Sequence, residues 1–477
     1  MNKIFTLIFS ICLIFIVLPS SGQGNEGSGD ITLLNPIPIS RSTAEKPQSK
    51  VWKHACTYWT VLPDSEGTHI WRLDGTNWSK VLTISNWTTP LADCKRVDNV
   101  THIFLFRGGN TNSSLISVEY VPATNSYKLW SKRPSEVFVK HLRGTATIDI
   151  DSKGRMWMAS NGINEVNVRW SDFPYESWSA PITLVSNITT DDIPALVAMP
   201  GKIGVFWSNQ TTRRFGFRTH TDGAAPTEWS KDEVPASQSA QNVGEGMADD
   251  HVNMAVSKDG TLYCAVKTEY DKKGLPQLAL LIRRPSGTWD NIYPISEHGT
   301  RPIIILNETL NTLRIVYASK EGGGDIMYKE TSTSNISFGQ AVTLLPGQYD
   351  NPTSTKDNYV ADQVILASNA SQAVGVKLAT SLEPEFCAEN ERGYFLAYPN
   401  PFTTRATFEF KLLVEGEYQI VLYSNNGSKV ATINRGTITP GIVQRYEFET
   451  TNLPHGFYMA RLEAPGMNRV LKILYIE

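Results

Sequence analysis

Residues 69–85 read HIWRLDGTNWSKVLTIS. Apolar and polar residues alternate on both sides of a turn at Asp74-Gly75, and the returning segment opens on Trp78. Alternation with period two, broken by Gly, Asp and Asn, is the pattern of a hairpin with one buried face. The unit recurs as VEYVPATNSYKLWSKRPSEV (118–137), VRWSDFPYESWSAPITLVS (168–186), FRTHTDGAAPTEWSKDEV (217–234), LIRRPSGTWDNIYPIS (281–296) and YKETSTSNISFGQAVTLL (328–345). Its aromatic anchors are Trp78, Trp130, Trp178, Trp229, Trp289 and Phe338, at spacings of 52, 48, 51, 60 and 49 residues. Each interval holds a further pair of strands, such as TATIDIDSKGRMWMAS (145–160) and HVNMAVSKDGTLYCAVK (251–267).

Four short strands in roughly 50 residues, repeated, predict β-propeller blades. The anchor aromatics are expected to lie between neighbouring blades. Material after residue 350 supplies three further strands, and Ile31-Thr32-Leu33-Leu34 supplies a fourth. The expected fold is all-β: a seven-bladed propeller closed by an N-terminal strand, with six blades as runner-up.

The ends of the chain differ from the repeats. Lys3 followed by the apolar run 4–18 and Pro19-Ser20-Ser21-Gly22 reads as a secretory signal peptide, residues 1–22. No later run approaches the ~20 apolar residues a membrane span needs, so none is expected after cleavage. The propeller is assigned to 23–380 and a charged linker to 381–395. Residues 396–477 follow as regular short strands with turns at Glu415-Gly416, Asn426-Gly427, Pro440-Gly441 and Pro465-Gly466, the pattern of a small immunoglobulin-like β-sandwich.

The net charge of −3, from 44 basic and 47 acidic residues, argues against a nucleic-acid partner. Export makes a disulfide feasible, and Cys56 with Cys94 is the expected pair, since both fall in or beside the first repeat. Cys264 sits mid-strand and reads as a buried thiol. No CxxC or Cys/His cluster is present, so no zinc site is expected and no cofactor is assigned; a structural calcium is left open, although no DxDxDG loop occurs.

The C-terminal segment resembles the sorting domain of the type IX (Por) secretion system of Bacteroidetes. The matching residues are Tyr398-Pro399-Asn400-Pro401-Phe402, Gly416, Tyr418, Leu422-Tyr423, Asn426-Gly427, Val430, Leu453, Gly456, Tyr458, Arg461-Leu462, Arg469 and Lys472. The resemblance implies passage across the outer membrane by that machinery, and a secreted or surface-attached protein. Residues 31–380 resemble, in architecture, the neuraminidase-like (BNR-like) repeats of propeller polysaccharide lyases, including those acting on ulvan. No catalytic motif of that family is matched.

In a propeller the starts of the innermost strands converge on one mouth. Those starts are Lys53-His54, Asp93, Arg143 to Thr145, Asp191-Asp192, Asp249-Asp250-His251, Thr300-Arg301, and Lys356 with Tyr359. A cation suits a substrate carboxylate or sulfate, and His with Tyr suits proton transfer at the carbon beside it. His251, Arg301 and Tyr359 are the candidate catalytic residues. Asp191, Asp192, Asp249, Asp250, Lys356 and Arg143 are the candidate substrate-binding residues. Asp and Thr ahead of a strand also cap turns. The expected partner of this monomer is a polysaccharide or glycoconjugate, and the leading reaction is β-elimination at a uronate. A sialidase-like glycoside hydrolase and a non-catalytic glycan-binding or protein-interaction module are the alternatives.

Overall fold

The structure is a computed structural model, and it describes residues 31–44, 47–109, 111–139, 143–380, 393–412, 414–440, 442–450 and 453–476. The expected signal peptide, most of the expected linker, Cys12 and Cys387 lie outside the described residues. Every extended element is a β-strand, and no described helix is long and apolar enough to cross a membrane.

Residues 31–379 form six antiparallel sheets. The first orders Val51–His54, Thr57–Asp64, Gly67–Asp74 and Asn77–Ser85. The second holds Leu91–Val97, Val100–Phe106, Ser113–Val121, Ser126–Leu129 and Glu136–Val139; the third holds Arg143–Ile150, Met156–Asn161, Glu165–Ser171 and Ile182–Ser186. Pro194–Met199, Lys202–Asn209 and Arg214–Thr221 make the fourth, and Val252–Val256, Leu262–Lys267, Leu278–Arg283 and Tyr293–Ser296 the fifth. The sixth has seven strands: Thr300–Asn307, Thr312–Ala318, Gly324–Ser332, Val342–Thr353, Asp362–Ser368, Gln372–Ala379 and, as its far edge, Ile31–Pro38.

The expectation of a seven-bladed or six-bladed propeller is corrected by this pairing. Among the described residues no sheet is closed or curled into a propeller or barrel, and three of the six depart from four strands. The expected sixth and seventh blades are one open sheet, because Val342–Thr353 runs unbroken and pairs with Gly324–Ser332 through one half and Asp362–Ser368 through the other. The C-terminal strands likewise make two open sheets, of three and four strands, around one core that includes Phe395, Phe408, Phe410, Tyr418 and Leu462.

Sheets with one apolar face each must be covered, and here successive sheets cover one another. Trp59 and Ile70 of the first pack with Ile103 and Ile116 of the second. Phe104 and Trp130 pack with Ile148 and Met158, Trp157 and Val168 with Leu196 and Trp207, and Phe206 and Phe217 with Cys264 and Leu281. All six anchor aromatics fall in clusters that join two sheets. Each large apolar side chain removed from water in this way contributes about 1.5–3 kcal/mol. The expected Cys56–Cys94 disulfide is absent: Cys94 is a free thiol sealed in the first of these clusters, where burial pushes its pKa up. Cys264 is a buried free thiol, as expected.

The leading strand of each sheet is an edge, and edge N–H groups need acceptors. Side chains of the neighbouring leading strand supply them. Asp93 accepts from Ser49 N at 2.9 Å and Ile148 N at 2.8 Å. Thr147 accepts from Leu196 N at 3.0 Å, Asp149 from Ala198 N at 2.8 Å, and Asn253 from Ile304 N at 3.1 Å. Lys50 N donates to Thr353 Oγ1 at 3.2 Å, tying the first sheet to the sixth.

Asp93 is fully buried and also takes the Lys356 ammonium at 2.6 Å. Removing one partner of such a buried pair leaves the other uncompensated, so Asp93→Ala is expected to cost about 3–5 kcal/mol. Urea unfolding of the full chain measures it, and a loss below ~1 kcal/mol, the scale of an ordinary substitution, would contradict this role for Asp93.

Candidate functional site: an acid–base cluster

The fifth and sixth sheets bring charged side chains together at the start of their leading strands. His251 precedes Val252–Val256, and its backbone N–H donates to Asp249 Oδ1 at 3.0 Å. Its ring Nδ1 meets Asp249 Oδ1 and lies 2.6 Å from Asp250 Oδ1. The second strand of the same sheet returns to this end, with Lys267 N donating to the His251 carbonyl at 3.0 Å. That register delivers Lys267 Nζ to Asp249 Oδ2 at 2.8 Å and to Glu321 Oε2 at 3.4 Å. Glu321 then takes Arg301 Nη1 at 2.7 Å, and Arg301 also lies 3.4 Å from Asp350.

Arg301 is aimed by local backbone. The ladder slips between Thr300 and Ile303, and Arg301 sits in the bulge at φ +52°. Positive φ is uncommon for a residue with a Cβ, and bulges re-aim side chains beside functional sites. Gly299, at φ +122°, precedes it; a Cβ there would meet Tyr317 at 2.7 Å.

The electrostatics separate the acids. Burial pulls the Asp249 pKa upward, but hydrogen bonds to His251 and Glu269 and the charges of His251 and Lys267 outweigh it, and Asp249 ends well below the ordinary range. Glu269 shares a hydrogen bond with Asp249, and that bond, with burial and the Asp249 charge, pushes it up to about 7. Against the pull of burial, Lys267 and Arg301 hold Glu321 down to about 2. Burial raises Asp350 above its ordinary value, opposed by Arg301. The Glu269 side chain is 41% exposed and Glu321 58%, so the rim of the cluster meets solvent while Asp249 and His251 form its floor, 4% and 5% exposed. The arrangement offers an accessible carboxyl that exchanges a proton near neutral pH, beside a fixed carboxylate and two cations.

Of the residues expected at one mouth, Asp249, Asp250, His251, Thr300 and Arg301 belong to this cluster. The others do not. Lys356 lies in a separate cavity of about 240 Å³, where its Nζ is held by Asp93 and by the Ile148 carbonyl at 2.6 Å. Lys95 pairs with Asp149 at 2.7 Å in the same cavity. Tyr359 is buried in the apolar core of the sixth sheet, its N–H bonded to the Leu306 carbonyl. Leu306 is five residues along its strand from Arg301, about 16 Å away at the usual rise. Asp192 is fully buried as a turn cap, accepting from Thr189 N at 2.7 Å and Gln210 N at 3.0 Å. Asp191 is exposed, and the Arg143 side chain lies outside the described residues.

The sequence reading missed Lys267, Glu269, Glu321 and Asp350. The Ser-Lys-Asp-Gly turn at 257–260 contained the signal for the first two: counting back across that hairpin puts Lys267 beside His251. Asp350 was missed because the last leading strand was read from Lys356, whereas it begins inside Val342–Thr353.

The ligand atoms of Asp249, Asp250 and His251 lie within 4.8 Å of one another. They do not suit a calcium ion, because Lys267 already occupies Asp249 Oδ2 and the ring nitrogen is not the oxygen donor calcium takes.

Residues 396–477 match the secretion system C-terminal sorting domain family (the Por secretion tail). This is the class of exported proteins, and the chain is accordingly secreted or held at the outer cell surface. No curated protein matches the chain. Among solved structures it is similar to the polysaccharide lyase Uly1 at 8% identity and TM-score 0.45, over 70% of this chain and 90% of that one. A protein of unknown function from Dyadobacter fermentans gives 12% and 0.42, over 73% and 99%. An α-L-arabinanase of Penicillium chrysogenum gives 10% and 0.38, over 64% and 100%. Similarities this low carry no inference about activity.

The Glu269 proton sets a pH dependence. Its folded pKa of about 7 stands above the ordinary 4.5, so the folded chain holds the extra proton between those values. The stability it contributes is full below about pH 4.5 and is lost as pH rises through about 7. Asp249 acts with the opposite sign, losing its contribution only in acid. Glu269→Gln is expected to flatten the decline in melting temperature between pH 5 and pH 8; a decline unchanged in the variant would contradict the assignment.

Proposed function

We propose that residues 31–380 are an extracellular carbohydrate-directed module, and that the cluster of Asp249, Asp250, His251, Lys267, Glu269, Arg301, Glu321 and Asp350 is its working site. The observation that carries the reading is the placement of Glu269, 41% exposed and hydrogen-bonded to the buried Asp249 carboxylate, which with burial raises its pKa to about 7. A proton donor near its operating pH can protonate a glycosidic oxygen as the bond to the sugar carbon breaks, and then take a proton from the attacking water. His251 and Lys267 act through Asp249, fixing its charge, and are positioning residues.

Between the two chemistries, glycoside hydrolysis fits this geometry better than β-elimination. Elimination at a uronate needs a cation to hold the sugar carboxylate. Arg301 is already engaged by Glu321 and Asp350, and Lys356 by Asp93. Carboxyl groups also outnumber cations in the cluster, which gives a polyanion no net attraction.

The test is a screen of the purified full chain against neutral and acidic polysaccharides, following reducing ends and absorbance at ~235 nm, roughly where the double bond left by elimination absorbs. New reducing ends without absorbance, reduced about 100-fold or more in Glu269→Gln and unchanged in Asp191→Ala, is the expected result. Absorbance that survives Glu269→Gln would replace this site and this chemistry. Saturable binding without turnover, lost in Glu269→Gln, would make the cluster a recognition element.

A further inference from the structure

A second surface feature lies away from the acid–base cluster, between the outer edges of the second and third sheets. It is a groove of about 630 Å³. One wall is Pro134 and Glu136–Val139, the edge strand of the second sheet; the other is Arg169 with Glu176, Ser177, Trp178 and Pro181. Phe138 is 53% exposed. Trp87 sits 6.4 Å from it, with the Arg107 guanidinium stacked 4.4 Å over the indole.

Two donors on residues that line this groove lack acceptors among the described residues. Arg169 Nε and Trp178 Nε1 are buried and make no hydrogen bond among the described residues. Arg169 donates elsewhere only to the Ser179 carbonyl at 3.2 Å, and burial alone pulls its pKa down, with no carboxylate opposing. Both side chains gain by turning toward an acceptor oxygen. Glu136 and Glu176, on opposite walls, offer acceptors in return.

We infer that this groove is a glycan-binding site, distinct from the acid–base cluster, that takes one or two sugar units of a polysaccharide. A pyranose presents the combination the groove asks for: an apolar C–H face for Phe138 and Trp178, ring and hydroxyl oxygens for Arg169 and Trp178 Nε1, and hydroxyl donors for Glu136 and Glu176. A lipid tail leaves the donors unmet, and an inorganic anion leaves Phe138 uncovered. The site holds polymer to the exported chain whether or not the cluster turns it over.

The experiment is affinity electrophoresis of the full chain through native gels containing xylan, laminarin, hydroxyethylcellulose or polygalacturonate. Wild type is expected to be retarded by at least one. Phe138→Ala and Arg169→Ala are expected to weaken that retardation at least fivefold, and Glu269→Gln to leave it unchanged. Phe138 is exposed, and circular-dichroism melting of each variant confirms the fold. Migration unaffected by all four polymers, or retardation equal in wild type and Phe138→Ala, overturns the proposal. Retardation lost in Glu269→Gln and kept in Phe138→Ala places binding at the cluster instead. Failure of the hydrolysis reading shows separately, as absent turnover with retardation intact.

Discussion

The structure depends on how leading edge strands are satisfied. An edge strand carries N–H groups with no ladder partner, and those groups must find acceptors or water. Asp93, Thr147, Asp149, Asn253 and Thr353 accept such N–H groups from the neighbouring leading segment. These bonds fix the height of one sheet against the next. The apolar clusters between sheets hold them together, but hydrophobic packing is non-directional. The polar contacts choose the register.

That register is what makes the acid–base cluster. Asn253 binds Ile304 N, so the starts of two leading strands stand level, with His251 two residues before one contact and Arg301 three before the other. The return strands end at the same height and bring Lys267 and Glu321 between them. A shift of one residue in either strand would turn its side chains to the opposite face. The bulge at Arg301 adds the last correction of direction. The chain thus positions five acids and two cations around His251.

The hairpin repeat, the aromatic anchors between sheets and the pairing of Ile31–Pro38 with Gln372–Ala379 were legible in the sequence, because each rests on period-two alternation and bulky apolar residues. The grouping of strands into sheets was not. Nothing in local alternation tells whether Val342–Thr353 stops at a blade boundary or continues into the next unit, and its continuation gives the seven-stranded sheet. Asp249, Asp250, His251 and Arg301, which share one cluster, were singled out because charged residues at the start of a buried strand are conspicuous. Lys356 and Tyr359 were misplaced for the reason that Asp350 was missed: the leading segment there begins earlier than its apolar residues do. Asp192 looked like Asp249 in sequence, and only its bonds to Thr189 and Gln210 separate a turn cap from a site residue.

The central claim is that Asp249 and Glu269 share a proton. The direct measurement is a carbon-13 carboxyl NMR titration of Glu269 in the full chain and in Asp249→Asn. A midpoint at about 7 in the wild type, moving toward the ordinary 4.5 when the Asp249 charge is removed, is the predicted result. A wild-type midpoint already near 4.5 would contradict it and leave the cluster a structural ion network without a proton donor.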